Sequence, residues 1–213
     1  MTVAAAENGM RKPGLINGAL IVGLLLGPGI GALIHTLLAV AAHGGEVSLM
    51  SIRKANAWFA EIPAPAEQWV HVTMTVARPK GLRSQVAMPA WTPGSYLVRD
   101  HARHVDDLRA ESLDGRPLPV TRVDKQTWRI DHGLKGFRVR YRVFADEPGV
   151  RTSHVDDRHA VLNGPAIFLY LVGETARPAR VDLTLPAGWQ AHAALDPAPA
   201  PAGAARFTAP DYD

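Results

Sequence analysis

Phe137-Arg138-Val139-Arg140-Tyr141-Arg142-Val143 is the stretch whose reading decides the fold class. Phe137, Val139, Tyr141 and Val143 share one face of an extended chain, and Arg138, Arg140 and Arg142 share the other. That is the period of a strand with one face buried. Upstream, Val70, Val72, Met74 and Val76 alternate with His71, Thr73 and Thr75. Pro79-Lys80-Gly81 turns the chain into a second strand through Leu82, Ser84, Val86 and Met88. Residues 105–113 extend as a third, Asp114-Gly115-Arg116-Pro117 is a turn, and residues 120–123 and 127–130 extend again. Downstream, Asp146-Glu147-Pro148-Gly149 ends the strand, and residues 150–159 are polar with no period. Asn163-Gly164-Pro165 punctuates the chain, and the apolar residues 166–172 suit a strand buried on both faces. Val181, Leu183 and Leu185 alternate once more, and residues 197–201 form an extended Pro-Ala loop. No helical period is sustained after residue 50. The pattern predicts an all-β domain, a mostly antiparallel β-sandwich.

Composition narrows the possibilities. The 213 residues are 47% hydrophobic and 20% charged with a net charge of +3, enough for a core and too weakly basic for a dedicated nucleic-acid binder. There is no cysteine, which excludes disulfides, thiolate metal sites and thiol nucleophiles.

Residues 1–50 differ in kind from the rest. No formally charged side chain lies between Lys12 and Glu46, and residues 15–42 are almost continuously apolar or small. An apolar helix of about 20 residues spans a bilayer. Arg11 and Lys12 ahead of the run would keep the N-terminus cytoplasmic. Either this is an uncleaved anchor that meets the membrane through residues 15–42, or it is a signal peptide cut near Ala39-Val40-Ala41. Both place the domain, residues 51–213, on the exported side, periplasmic or extracellular. A true start at Met50 would instead leave it cytoplasmic.

A second stretch carries the resemblance. Pro89-Ala90-Trp91-Thr92-Pro93-Gly94-Ser95-Tyr96, Val98-Arg99-Asp100 and Ala102-Arg103-His104 are followed in order by Arg151-Thr152-Ser153, Asp156-Asp157, Asn163-Gly164 and Phe168-Leu169-Tyr170. Over residues 56–213 the chain resembles the N-terminal domain of the PDZ-containing glycyl aminopeptidase family of zinc metallopeptidases. The resemblance implies a β-sandwich followed by a thermolysin-like catalytic domain and a PDZ domain in the same polypeptide, with peptides as substrate. Zinc is implied for that catalytic domain and no cofactor for this one. The zinc helix signature H-E-x-x-H, two ligands on one helical face with a glutamate beside the metal-bound water, does not occur in the sequence. By itself the chain is therefore expected to be inactive as a peptidase, with no catalytic residue of its own. Residues 207–213 show neither a closing strand nor a helix, which reads as a frayed end or as a cut before the catalytic domain.

The candidate site residues follow from the same stretches. The irregular, charged residues 151–163, ahead of an apolar run, suit a loop presented by a rigid scaffold. Asp156, Asp157 and Asn163 are the candidate contacts for the α-ammonium group of a peptide substrate; the competing reading makes Asp156, Asp157 and Arg158 a salt-bridged structural turn. Trp91, Tyr96, Arg99, Asp100 and Arg103 are candidate docking residues, with an ion-paired network pinning the motif to its sheet as the alternative. Trp91 and Tyr96 are expected to pack in the core or an interface. Ser95 has no base-and-acid arrangement for a serine hydrolase. His101, His104, Asp106 and Asp107, and His154, Asp156, Asp157 and His159, are two imidazole–carboxylate clusters of zinc-compatible chemistry. Locally hydrogen-bonded turn histidines are the preferred reading, so no metal ligand is assigned. Finally, the three-arginine face of residues 138–142 offers an alternative function, a standalone membrane-associated binding module, unless neighbouring acids such as Asp106, Asp124 and Asp131 answer it.

Overall fold

The computed structural model describes residues 55–91, 97–149 and 151–212. The candidate signal or anchor with its apolar helix, and Tyr96 with the Pro93-Gly94 turn, lie outside the described residues. In chain order the strands are β1 (Asn56–Glu61), β2 (Trp69–Val76), β3 (Arg83–Ala87), β4 (Val105–Ser112), β5 (Pro117–Leu118), β6 (Val120–Arg122), β7 (Thr127–Asp131), β8 (Phe137–Phe144), β9 (His154–Val155), β10 (Ala160–Val161), β11 (Tyr170–Leu171), β12 (Ala179–Thr184), β13 (Asp196–Ala198) and β14 (Ala204–Ala209). Two 3-10 turns, Pro65–Glu67 and His101–His104, and one helical turn, α1 (Gly164–Ile167), complete the described elements.

The period-two segments set the layers. One sheet runs β13-β14-β12-β1-β2-β8-β4-β5, a second runs β11-β3-β7-β6, and β9 and β10 form a small hairpin. Pairing is antiparallel except between β1 and β12, which run parallel. Val70, Val72, Met74 and Val76 of β2, and Phe137, Val139, Tyr141 and Val143 of β8, are all buried. They share one core with Val86 and Met88 at β3, Trp128 and Ile130 of β7, and Ile167, Leu169 and Leu171. Burying such a side chain is worth about 1.5–3 kcal/mol relative to exposure, so this shared core is what holds the two sheets together. The mostly antiparallel all-β architecture agrees with the sequence.

Four details differ from the sequence pattern. Residues 166–172 are not one strand: Pro165 opens the turn of α1, Phe168 N–H bonds Gly164 C=O at 2.8 Å, and only β11 pairs, with Ala87 and Val86. A short apolar run fits a buried helical turn as well as a strand, and here it plugs the core with Ile167 and Leu169. Strands begin at Asn56, not near Trp69; β1 buries Asn56, Trp58 and Ala60 on one face. The Pro-Ala stretch contributes β13 at the sheet edge, where a proline costs no ladder hydrogen bond. Residues 204–209 form β14 between β12 and β13, and Phe207 is buried, so a strand does lie near the last residues.

Two buried histidines give a prediction for the response of the fold to acid. His132 stacks on Phe137 at 5.0 Å and 14°, with Nε2 2.9 Å from Ser84 Oγ. Burial lowers its pKa, opposed by a backbone hydrogen bond at Arg83 and the Asp131 charge. Burial also lowers His101, helped by Arg99, His104 and Arg103 and opposed by Glu147. A histidine depressed in the folded state is protonated first in the unfolded chain. Its stabilising contribution is therefore complete above the unfolded value of about 6.5 and is lost as pH falls through that value toward the folded one. The urea midpoint should drop between pH 7.5 and pH 5.5, before carboxylates titrate. A flat profile over that window would rule the prediction out.

Candidate functional site

The two sequence motifs meet at one end of the sheets. Strand β8 runs out into Ala145, which is buried, and then Asp146 and Glu147. Asp146 bridges His154, and Glu147 N–H bonds Ser153 C=O at 3.0 Å, which lays residues 151–155 back along the strand end. The Glu147 carboxylate accepts a hydrogen bond from Arg103, and His104 Nε2 lies 3.5 Å from it. Arg103 Nε–H also donates to His104 Nε2 at 2.9 Å. Helical turn α1 packs against the His101–His104 turn. Arg103 thus belongs to an ion pair that fastens the first motif to the second.

Between the motifs is an open recess of about 460 Å³, lined by Arg99, Asp146, Glu147, Pro148, Gly149, Arg151 and Thr152. Arg99 N–H bonds Ala90 C=O at 2.7 Å, while its Nε is buried without a hydrogen-bond partner. Asp100, at φ 47°, is exposed. Trp91, Leu97 and Val98 are 53%, 60% and 63% exposed. Among the described residues Trp91 is therefore outside the core, which leaves the interface branch of the expectation.

The loop of residues 151–163 is a built structure and not a loose segment. His154 and Val155 pair with Val161 and Ala160, and Asp156 sits at the first position of the connecting turn. Its Oδ1 accepts the N–H groups of Arg158 and His159, each at 2.8 Å. Those two hydrogen bonds, with smaller help from the Arg158 guanidinium and His159, hold the carboxyl far below the usual aspartate range. Asn163 N–H donates to Ser153 Oγ at 3.0 Å, and its side-chain amide donates to Arg151 C=O at 2.8 Å. Asp157 is different: its side chain is 80% exposed, with Arg158 Nε at 4.0 Å. Asp156 and Asn163 therefore spend hydrogen bonds on shaping the loop, whereas Asp157 presents a carboxylate to solvent.

Sequence reasoning missed Asp146, Glu147 and Ser153 as the fasteners. The available signal was an acidic pair at the end of a strand, in a chain with two basic motifs still unpaired. The arginine stripe is answered by β4. Arg142 Nε lies 2.9 Å from Asp106 Oδ2, Arg140 Nη2 2.9 Å from Glu111 Oε1, and Arg138 Nη1 3.5 Å from the same oxygen. Arg142 also stacks over Trp69 at 4.3 Å. Of the acids the sequence offered, Asp106 alone serves the stripe; Asp131 pairs with Arg83 and Arg129, and Asp124 accepts from Gln126 N–H. A face so paired has little charge left for anionic lipid.

A second groove, about 450 Å³ and mostly apolar, lies along Trp58, Val181, Leu183, Phe168, Trp189 and Tyr212. Its described lining includes the titratable side chains of His192, Asp211 and Tyr212.

The geometry agrees with a specific family. Residues 60–213 match the Peptidase M61 N-terminal domain, and the chain belongs to that family. Among solved structures it is similar to an aminopeptidase N family protein from Idiomarina loihiensis, with a TM-score of 0.69 and 25% identity over 74% of this chain and 27% of that one. An M1 zinc metallopeptidase from Deinococcus radiodurans is matched at a TM-score of 0.40 and 15% identity, over 73% of this chain and 37% of that one. The chain thus spans well under half the length of these solved proteins. No curated protein sequence matches.

Proposed function

We propose that residues 51–213 are the β-sandwich N-terminal domain of a glycyl-aminopeptidase-like zinc metallopeptidase. In this reading the domain is non-catalytic. It packs on a catalytic domain of the same polypeptide, which holds the zinc and precedes a PDZ domain, and it helps shape the cleft for peptide N-termini. The observation that carries the reading is the family match over residues 60–213 in a chain without H-E-x-x-H. Trp91, Arg99, Asp100 and Arg103, with Tyr96, belong to the docking face; uncovered apolar groups beside a charged recess are what a second domain would bury. Asp156 and Asn163 hold the loop, and Asp157 offers its carboxylate to the substrate α-ammonium group. The proposal includes export, with residues 15–42 as signal or anchor.

Asp157→Asn in the polypeptide that carries both domains isolates this contact, because it leaves the turn made by Asp156 intact. A charge-assisted hydrogen bond of about 1.4 kcal/mol corresponds to a tenfold change in affinity. The expected result is a KM about tenfold higher for short peptides with a free amino terminus, with kcat little changed. Unaltered kinetics would remove Asp157 from the cleft.

A further inference from the structure

We propose that the β9–β10 turn is a binding site for a divalent metal ion of the imidazole-preferring class, best matched by zinc, with His154, Asp156 and His159 as its ligands. One ligand atom from each of the three lies within 4.8 Å of the others. Asp156 Oδ2 is 3.6 Å from His154 Nε2, and Asp156 Oδ1 is 3.1 Å from His159 Nδ1. In a tetrahedral site with bonds of about 2.0–2.1 Å, neighbouring ligand atoms stand roughly 3.3 Å apart. The three side chains are gathered near that scale, so side-chain adjustment alone is required of them.

The backbone builds it. The two-residue pairing of β9 with β10 fixes the bases of His154 and His159 on either side of the turn. Asp156 Oδ1 is engaged by the two turn amides, which aims Oδ2 toward the His154 ring. The two imidazoles are 5.6 Å apart and tilted by 54°, so they are neighbours and are not stacked flat. His154 has a carboxylate near its outer nitrogen, beyond hydrogen-bond reach. Its Nδ1 is buried and makes no hydrogen bond, yet Asp146 Oδ1 is 4.0 Å away and is itself held by Gln68 Nε2 at 2.6 Å. A small closing of that gap would give the ring the carboxylate partner that metal-bound histidines use. Arg158 Nη2 now approaches Asp156 Oδ2 at 3.3 Å, and its side chain is 80% exposed. It can swing into solvent when a dication takes its place. Three protein ligands and a half-exposed His159 leave a fourth position for water. Carboxylate and imidazole without thiolate favour zinc over calcium or magnesium, which select oxygen ligands alone.

The test uses the full 213-residue chain, stripped with a chelator and titrated with Zn²⁺ alone by calorimetry, with Co²⁺ absorption as a second readout. The expected result is one zinc per chain with micromolar or tighter affinity, and Co²⁺ d–d bands of tetrahedral intensity. His159→Asn, an exposed position, should weaken binding at least tenfold while leaving the far-ultraviolet circular dichroism unchanged. His192→Asn, on an exposed loop outside the turn, should leave binding unchanged. Absence of stoichiometric binding, or binding that survives His159→Asn, overturns the proposal.

Discussion

Trp58→Ala should destabilise the domain by about 3–5 kcal/mol, the range for removing a buried tryptophan. Trp58 is 2% exposed on β1, and its indole N–H donates to Leu169 C=O at 2.9 Å. Its ring meets Phe168 at 6.1 Å and Tyr212 at 5.8 Å, and the Tyr212 hydroxyl donates to Phe168 C=O at 2.6 Å. One side chain thus ties the first strand to the segment after α1 and to the end of the described chain. Truncation removes the ring, orphans a buried carbonyl and enlarges the apolar groove beside it. Domains of this size are stable by about 5–15 kcal/mol, so the loss is a large share of the total. Urea titration reads it as a lower midpoint at unchanged slope. Trp58→Phe, which keeps most of the ring, should lose less. A shift below about 1 kcal/mol for the alanine variant would mean that the site collapses around the deletion.

Tyr141→Phe tests the same segment from another strand of the same sheet, β8. The Tyr141 hydroxyl donates to Ile167 C=O and accepts from Leu169 N–H, both at 3.0 Å, and the residue is buried. Burial holds its pKa well above the ordinary tyrosine value, so the phenol stays protonated and keeps its donor. Removing one oxygen leaves two buried backbone groups without this partner, at about 1–3 kcal/mol each. The change creates almost no cavity, so the loss measured by urea titration reports hydrogen bonding alone. A neutral substitution would show that water replaces the hydroxyl.

These two contacts also mark where the sequence stopped being legible. Strands β2 and β8 could be read directly, because each buries one face and keeps a polar face, and period two survives in the letters. Strand β1 was missed although Trp58 anchors it: Ala57 and Ala60 blur the alternation, and prolines follow at residues 63 and 65. Residues 166–172 were misassigned because an unbroken apolar run has no period to reveal a helical turn. The tertiary role of that run comes from Tyr141 and Trp58, which are 26 and 111 residues distant in sequence. For the site, residue types were visible and partners were not. Asp156 could be picked out as an acid in a polar segment, but its two backbone donors exist only once the turn is formed. The Arg103–Glu147 pair spans 44 residues and no local pattern announces it.

The central claim is that this domain belongs to a longer metallopeptidase. Determining the coding sequence immediately downstream of Asp213 tests it most directly. The account predicts an open frame with His-Glu-x-x-His within roughly the next couple of hundred codons, on a segment of helical period. A stop codon directly after Asp213, with no catalytic domain encoded in frame, would contradict it.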